Sequence, residues 1–221
     1  KEYRRQRQMC IRDSPMTGGV VNTINTRLDT RTVAYILDHS DCKVFIVDRQ
    51  FHNVAIDAIA QVNRDIIVID IDDKQADLGD IPSIGKLEYE SFLQTGDEGF
   101  EWIRPDDEWQ AISLNYTSGT TGNPKGVVYH HRGSYLMSMG SITAWNMPNR
   151  LTYLYTVPMF HCNGWGYPWT LAMLHARVIF IRNIVVKEIF ELIDKYEVTH
   201  FGGAPIAVSY THLTLPTILL V

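Results

Sequence analysis

Cysteine is scarce in this sequence. Its three cysteines, Cys10, Cys42 and Cys162, are odd in number, far apart and without a CxxC spacing. Disulfide frames and structural zinc sites need paired cysteines, so the sequence excludes both kinds of site. The thiols are therefore predicted to be reduced, as is typical of a cytoplasmic protein.

The sequence also lacks an excess of positive charge and a long apolar run. Twenty Lys and Arg residues against 25 Asp and Glu residues give a net charge of −5. That charge gives no bulk electrostatic reason to bind nucleic acid. No run of about 18 apolar residues predicts a membrane span, and the charged first residues do not resemble a signal peptide. We therefore expect a cytoplasmic protein without a nucleic-acid partner.

Both ends of the chain differ in composition from its middle. Residues 1–15 carry five basic and two acidic residues, whereas residues 208–221 carry neither kind. The stretches MCIRDSP and VSYTHLTLP within these ends resemble translated sequencing-adapter read-through. We predict two non-native tails, 1–15 and 208–221, which pack poorly around a genuine segment, 16–207. The alternative is a basic arm and an apolar C-terminal strand.

The middle of the chain alternates short apolar runs with amphipathic segments. This alternation predicts a layered α/β fold with mostly parallel sheets flanked by helices. The predicted strands are Lys43–Asp48, Asp65–Asp70, Ala111–Gly119, Gly126–His131, Leu151–Pro158, Ala176–Arg182 and Val198–Pro205. The predicted helices are one that Asp29 caps and that ends near Ser40, then Val54–Val62, Lys86–Leu93, Arg132–Trp145, Trp165–His175 and Val186–Tyr196.

The most informative stretch is YTSGTTGNPKG, Tyr116 to Gly126, which follows a predicted buried strand. It interleaves four hydroxyl residues with three glycines and adds one lysine. Glycines allow tight turns and close approach of a ligand to backbone amides, and successive amides with hydroxyls can surround phosphate oxygens. Lys125 supplies a positive charge for the same oxygens. The stretch therefore predicts a phosphate-binding loop.

This loop is neither of the common nucleotide-binding patterns. A Walker A loop needs Gly-Lys-Ser/Thr after a glycine and four residues, whereas Lys125 follows Pro124 and precedes Gly126. A GxGxxG pattern is also absent. The plainer alternative is a flexible surface loop rich in Ser, Thr and Gly.

The stretch resembles the phosphate-loop signature of adenylate-forming enzymes, which include acyl-CoA synthetases, peptide-synthetase adenylation domains and luciferases. Every position from Thr117 to Lys125 fits that signature. Val21–Asp48, Pro158–Trp169 and Val198–Pro205 resemble further family stretches in the same order. The motif MFHCNGW most resembles that of the fatty-acyl and medium-chain acyl-CoA ligase branch. The resemblance implies that residues 16–207 are part of the large N-terminal adenylation domain.

The resemblance also implies substrates and site residues. Enzymes of this family form an acyl-adenylate from a carboxylic acid and ATP with Mg²⁺, and then transfer the acyl group to coenzyme A. The residues implied at the β- and γ-phosphates are Thr117, Ser118, Gly119, Thr120, Thr121, Gly122 and Lys125. Thr117 is also the candidate hydroxyl near Mg²⁺. His161 and Lys125 are the candidate catalytic residues.

The acyl pocket is implied to involve His161, Trp165 and the turn Gly202, Gly203, Ala204 and Pro205. Trp165 matches the aromatic gate of fatty-acyl relatives. The alternatives are that His161 is a structural histidine, that Trp165 is an ordinary core tryptophan, and that Gly202–Pro205 is a plain strand-to-helix turn. The other histidines show no metal-ligand spacing, and His130 and His131 are interpreted as local structure. The acidic pairs Asp72–Asp73 and Asp106–Asp107 are expected to be solvated.

Later family motifs are not found in this sequence, namely the adenine-binding and glutamate motif, the ribose-binding aspartate and the C-terminal catalytic lysine. We therefore expect an N-terminal fragment of an acyl-CoA ligase that is itself inactive and forms no acyl-CoA. Two alternatives stay open. One is an adenylation domain with an acceptor other than coenzyme A, and the other is a non-catalytic nucleotide-binding module.

Overall fold

The structure, a computed structural model, describes residues 10–74, 76, 78–117 and 122–203 of the chain. Its strands are β1 (Val21–Asn22), β2 (Val44–Asp48), β3 (Ile67–Ile71), β4 (Leu87–Glu88), β5 (Ala111–Thr117), β6 (Lys125–His130), β7 (Thr152–Tyr155), β8 (Arg177–Phe180) and β9 (His200–Gly202). Its helices are α1 (Thr30–His39), α2 (His52–Ile59), α3 (Tyr89–Leu93), α4 (His131–Ala144), α5 (Tyr167–Met173) and α6 (Val186–Tyr196).

The described strands form three sheets of three strands each. Their strand orders are β1-β5-β6 in the first sheet, β2-β3-β4 in the second and β8-β7-β9 in the third. Five of the six strand pairings are parallel, and only the pairing of β5 with β6 is antiparallel. The predicted α/β class with mostly parallel sheets is therefore confirmed.

Both faces of the third sheet are covered by helices. Tyr153 and Tyr155 on β7 pack against Tyr167 and Leu171 of α5. Leu154, between them, points the other way and packs against helix α6. Successive side chains of a strand alternate between its faces, so a strand covered on both sides is continuously apolar. Burying Leu154 fully contributes roughly 1.5–3 kcal/mol.

The second sheet is covered on one face by the start of the described chain. Residues 10–16 are helical, Ile11 is only 2% exposed, and the thiol of Cys10 donates to the Tyr89 hydroxyl at 3.3 Å. Cys10 also packs beside Ile69. The expectation that this end packs poorly is therefore wrong for residues 10–14, because apolar side chains there meet an apolar sheet face.

The packing of residues 10–14 does not test the prediction for the other residues of the two tails. Residues 1–9 and 208–221 lie outside the described residues. The non-native origin of both tails, and the border of the genuine segment at 16–207, stay predictions.

Helix α1 begins where the sequence predicts it. The Asp29 carboxylate accepts a hydrogen bond from the backbone N–H of Thr32 at 2.8 Å. This N-cap satisfies one of the amides that the first turn leaves without a partner. The hydrogen bonds of Thr32 lower the pKa of Asp29 below its ordinary value.

One acidic pair differs from its expectation. The carboxylate of Asp73 accepts from Arg182 at 2.8 Å, and Asp72 accepts from Arg49 at 2.8 Å. Asp72 and Asp73 are therefore largely buried in ion pairs rather than solvated. Arg182 also contacts the buried Asp48 at the end of β2. The cause is tertiary, because Arg182 follows β8 and ties the second sheet to the third.

The helix predicted at Trp165–His175 is shorter in the structure. Trp165 and Gly166 have positive φ angles of 59° and 70°, and His175 has a φ of 49°. Right-handed helix requires negative φ, so helix α5 can span only Tyr167–Met173. Within the described part of the chain, no helix has the length and apolar character needed to cross a bilayer.

Candidate active site

The phosphate-loop signature connects the two strands of a β-hairpin. Thr117 is the last residue of β5, Lys125 is the first residue of β6, and the two are paired directly across the antiparallel ladder. Ser118, Gly119, Thr120 and Thr121 lie outside the described residues. Gly122 has a φ of 99°, and a Cβ there would meet no atom within 4 Å. The described end of this loop is thus open, at a backbone position that favours glycine.

Lys125 is exposed beside this opening. No carboxylate in the described part of the chain lies within ion-pair distance of its ammonium group, although ten other ion pairs do form there. Hydroxyls, amides and an ammonium group are a donor set that suits phosphate oxygens. The local chemistry therefore fits the binding of a phosphate chain.

Helix α1 holds the hairpin next to the loop. The hydroxyl of Tyr116 and Nδ1 of His39 lie 2.7 Å apart, and the rings of His39 and Tyr35 stack with centroids 5.1 Å apart. Burial and the nearby Tyr35 raise the pKa of Tyr116 above its ordinary value. No local pattern in the sequence indicates His39 as a partner of Tyr116, because the two residues are 77 positions apart.

The segment HCNGWG forms an unusual left-handed turn. Five successive residues, from Cys162 to Gly166, have φ angles between 47° and 70°. The N–H of Trp165 donates to the carbonyl of His161 at 3.1 Å and closes the turn. Left-handed backbone costs roughly 1–2 kcal/mol for each residue other than glycine. Strain of this size persists only where surrounding contacts enforce it, and such positions cluster at functional sites.

Side chains from two strands in different sheets, β7 and β6, contact this turn. The buried hydroxyl of Tyr155 donates to the carbonyl of Gly164 at 2.9 Å, and a Cβ on Gly164 would lie only 2.1 Å from that hydroxyl oxygen. Burial raises the pKa of Tyr155 well above its ordinary value, so the hydroxyl stays protonated and able to donate. On β6, a hydrogen bond with Cys162, together with burial, raises the pKa of Tyr129 to about 12.

The candidate acyl-pocket residues are partly brought together. Trp165 is 38% exposed, and a Cβ on Gly202 would lie 3.8 Å from its Cζ3 atom and 2.7 Å from the Tyr153 hydroxyl. Gly203 is half-buried directly after Gly202. Ala204 and Pro205 lie outside the described residues. Trp165 and Gly202 therefore share one small space.

His161 lies at the start of the left-handed turn, exposed, with its ring centroid 4.6 Å from that of Phe160. No hydrogen bond joins His161 to Lys125 in the described ranges. Instead, the turn and the phosphate loop are connected through strand β5, because Asn163 contacts Ser113 and Asn115 on that strand. Asn163 was not singled out from the sequence. An Asn-Gly pair is a signal for left-handed backbone that could have indicated it.

No group of three or more His, Cys, Asp or Glu side chains that could hold a metal ion occurs among the residues that the structure describes. Thr117, the candidate Mg²⁺ ligand, offers a single hydroxyl at the end of β5. Mg²⁺ usually keeps several waters and binds through one or two carboxylates together with substrate phosphates. Phosphate oxygens at this loop would therefore have to supply much of its coordination.

Comparison with known sequences identifies the family of the chain. The sequence profile described as "AMP-binding enzyme" matches residues 14–213. The peroxisomal acetate/butyrate–CoA ligase AAE7 of Arabidopsis thaliana is 44% identical over 205 residues, which are 88% of this chain and 36% of that protein. The acetate–CoA ligase CCL3 of Humulus lupulus is 42% identical over 205 residues, with the same two shares. The chain thus spans about a third of the length of these relatives.

Comparison with solved structures gives the same fold. The inhibitor-bound N-terminal domain of FACL13 from Mycobacterium tuberculosis matches with a TM-score of 0.71 and 26% identity, over 93% of this chain and 48% of that chain. The o-succinylbenzoate CoA synthetase of Bacillus subtilis, in complex with its acyl-adenylate intermediate, matches with a TM-score of 0.72 and 18% identity, over 93% of this chain and 48% of that chain. With the phosphate-loop signature and the profile match across most of the sequence, these findings show that the chain belongs to the AMP-binding enzyme family of adenylate-forming acyl-CoA synthetases.

Proposed function

We propose that the intact protein containing this sequence is an AMP-forming acyl-CoA ligase. It would join a carboxylic acid to the α-phosphate of ATP, release pyrophosphate, and pass the acyl group to the thiol of coenzyme A with release of AMP. The observation that carries this proposal is structural. The phosphate-loop hairpin begins with strand β5, and the left-handed HCNGWG turn is hydrogen-bonded to the same strand, in a sequence closely similar to named CoA ligases.

The loop residues would bind the phosphates of ATP. Hydroxyls and amides from Thr117 to Gly122 would donate to the β- and γ-phosphates. The ammonium group of Lys125 would stabilise the charge that collects on the leaving pyrophosphate, which is the main electrostatic demand of phosphoryl chemistry. The open position of Lys125 opposite Thr117 supports this role. Mg²⁺ would neutralise further phosphate charge, with Thr117 as its candidate protein ligand.

The acid would lie between the phosphate loop and the left-handed turn. His161 would contact its carboxylate, and Trp165, Gly202 and Gly203 would wall its acyl part, with Ala204 and Pro205 beyond them. The ring of Trp165 lies within van der Waals reach of a Cβ placed on Gly202, which supports a narrow pocket. The relatives named for acetate and butyrate also favour a short acid. A short-chain carboxylic acid is therefore the substrate class we propose.

We propose that the intact protein is cytoplasmic. The three free cysteines of this chain are typical of a reducing compartment. One relative is named as peroxisomal, so a peroxisomal location is the second outcome to test. Microscopy of the intact protein fused to a fluorescent protein would separate the two.

The experiment that tests the proposed reaction uses a chimera in which residues 16–207 replace the matching part of the A. thaliana acetate/butyrate–CoA ligase. ATP–pyrophosphate exchange that depends on acetate or butyrate, together with acyl-CoA formation, is the expected result. The parent ligase and the chimera with Lys125→Ala are the matched controls. Exchange without acyl-CoA would indicate another acceptor. ATP binding without exchange would indicate a nucleotide-binding module, and either result would overturn the proposal.

A further inference from the structure

A closed network of buried polar side chains surrounds Asn163. Its Oδ1 atom accepts from the Ser113 hydroxyl at 2.6 Å and from the Asn115 amide at 3.1 Å. Its Nδ2 group donates to the Thr23 hydroxyl at 3.1 Å. Thr23 and Asn115 are themselves joined at 3.2 Å. Ser113 and Asn163 are fully buried, so the hydrogen bonds of Asn163 to β5 form away from competing water, whereas those of Thr23 are partly buried.

The network connects three distant parts of the chain. Thr23 directly follows β1, Ser113 and Asn115 lie on β5, and Asn163 lies in the left-handed turn. The inward-facing residues Ser113 and Asn115 are two positions apart, so they share one face of β5. Thr117, the first residue of the phosphate loop, is the next residue with this spacing. The turn is therefore fixed to the same strand that ends in the loop.

Asn163 lies between His161 and Trp165, so its hydrogen bonds to β5 affect the positions of both candidate site residues. His161 precedes the turn and Trp165 lies within it, and the three residues between them have φ angles of 47°, 48° and 61°. This conformation is strained, so without an anchor the backbone would relax toward negative φ and carry both side chains with it. Asn tolerates left-handed backbone better than most residues, and its amide can both accept and donate.

We propose that Asn163 is a positioning residue that anchors the left-handed turn to β5. It thereby fixes His161 and Trp165 relative to the phosphate loop. This inference rests on the proposed function for its link to catalysis. The structural part, which is that the side chain of Asn163 holds the turn, is independent of that function.

The first experiment tests the anchor in the 221-residue chain itself. The ¹H–¹⁵N signal of the Trp165 indole, assigned by its loss in Trp165→Phe, reports the position of the turn. Asn163→Gly keeps the freedom to adopt positive φ but removes the amide, and should shift or split this signal. Thr23→Val removes a partner 140 residues away at nearly constant shape, and should shift the signal in the same direction by less. Asn163→Asp keeps the accepting oxygen, and should preserve the signal better than Asn163→Gly.

The second experiment tests the consequence in the chimera described above. Poor alignment of the acid with ATP lowers turnover more than binding. Asn163→Gly should therefore lower the turnover of pyrophosphate exchange at least tenfold and leave the KM for ATP within about twofold. Thermal unfolding of each variant identifies those that do not fold, and Thr23→Val then serves as the milder variant.

The outcomes are distinguishable. If the unmodified chimera shows no exchange, the proposed function fails, whereas the indole signal still tests the anchor. If Asn163→Gly leaves the indole signal unchanged, backbone freedom alone explains Asn163 and the anchor is wrong. If the signal moves while turnover is unchanged, the positioning role is wrong.

Discussion

Thr117 and Lys125 face each other across the last pair of the antiparallel ladder between β5 and β6. This pairing places one hydroxyl and one ammonium group at the two ends of the phosphate loop. The alternation of elements predicts mostly parallel sheets, and it does not indicate that this particular pair is antiparallel. The antiparallel pairing matters for function, since a hairpin brings both ends of the loop to one site.

The first prediction concerns Lys125. Lys125→Ala in the chimera should lower acid-dependent ATP–pyrophosphate exchange at low ATP by about ten- to a hundredfold, because a charge-assisted contact to phosphate is worth roughly 1.5–3 kcal/mol. Lys187→Ala, which removes an exposed lysine of α6, is the matched control and should leave exchange unchanged. Wild-type exchange by Lys125→Ala would contradict the phosphate assignment. Thr121→Val tests the same loop at a position outside the described residues.

The second prediction concerns Trp165. Trp165→Ala should shift the preference of the chimera from acetate and butyrate toward longer acids, because it enlarges the space beside Gly202. The KM for ATP should stay within about twofold, since we propose that Trp165 contacts the acyl part of the acid and not the phosphates of ATP. Trp145→Ala removes an exposed tryptophan after α4 and is the control. An unchanged order of acid preference would mean that Trp165 does not wall the acyl pocket.

The third prediction concerns Gly202. Gly202→Ala should lower the free energy of unfolding of the chain by roughly 1–3 kcal/mol, because the new Cβ would crowd the Tyr153 hydroxyl. The double variant Gly202→Ala with Tyr153→Phe should recover part of that loss. Urea unfolding measures both changes.

Gly140→Ala is the matched control for Gly202. Gly140 lies within α4, and a Cβ there would meet no atom within 4 Å. This variant should stabilise the chain by about 0.5–1 kcal/mol, because alanine favours helix more than glycine does. Equal destabilisation by both alanine substitutions would show that crowding at Tyr153 is not the cause.

The fourth prediction compares two arginines. Arg182 pairs with Asp48 and Asp73, whose side chains are almost fully buried, whereas Arg64 pairs with exposed carboxylates on α1 and just after it. Arg182→Leu should destabilise the chain by about 3 kcal/mol, because it removes the partner of buried charges. Arg64→Leu should cost under about 1 kcal/mol. Similar midpoints of urea unfolding for both variants would contradict the buried arrangement.

The fifth prediction concerns the pH dependence of the Asp29 cap. Its hydrogen bonds to Thr32 lower the pKa of Asp29 in the folded chain below the ordinary value of 3.8. A lowered folded pKa means that the stabilisation is present above the unfolded pKa and is lost as the pH falls through the folded value. Asp29→Ala should thus unfold at a lower temperature than the original chain at pH 7. The difference in unfolding temperature should narrow as the pH falls below 3.8. Calorimetry over this pH range measures that difference, and a difference that stays constant would contradict the assignment.

Much of the local structure could be predicted from the sequence. The predicted helix Val186–Tyr196 is observed with the same bounds, and Asp29 caps the helix that its position indicated. These features depend on side-chain period and on capping chemistry, which act within a few residues. The phosphate-loop signature belongs to the same class, because its glycines and hydroxyls are contiguous in the chain.

The tertiary structure alone decided the contacts between distant residues. The partners of Asn163, the burial of Asp73 beside Arg182, and the contact of Tyr116 with His39 join positions from 48 to 140 residues apart. No local pattern encodes such pairs, because a polar side chain can be solvated or buried according to what packs against it. The sequence thus determined which elements form and where the phosphate loop lies. The packing of three sheets determined which polar groups meet, and it stabilised a strained left-handed turn against strand β5.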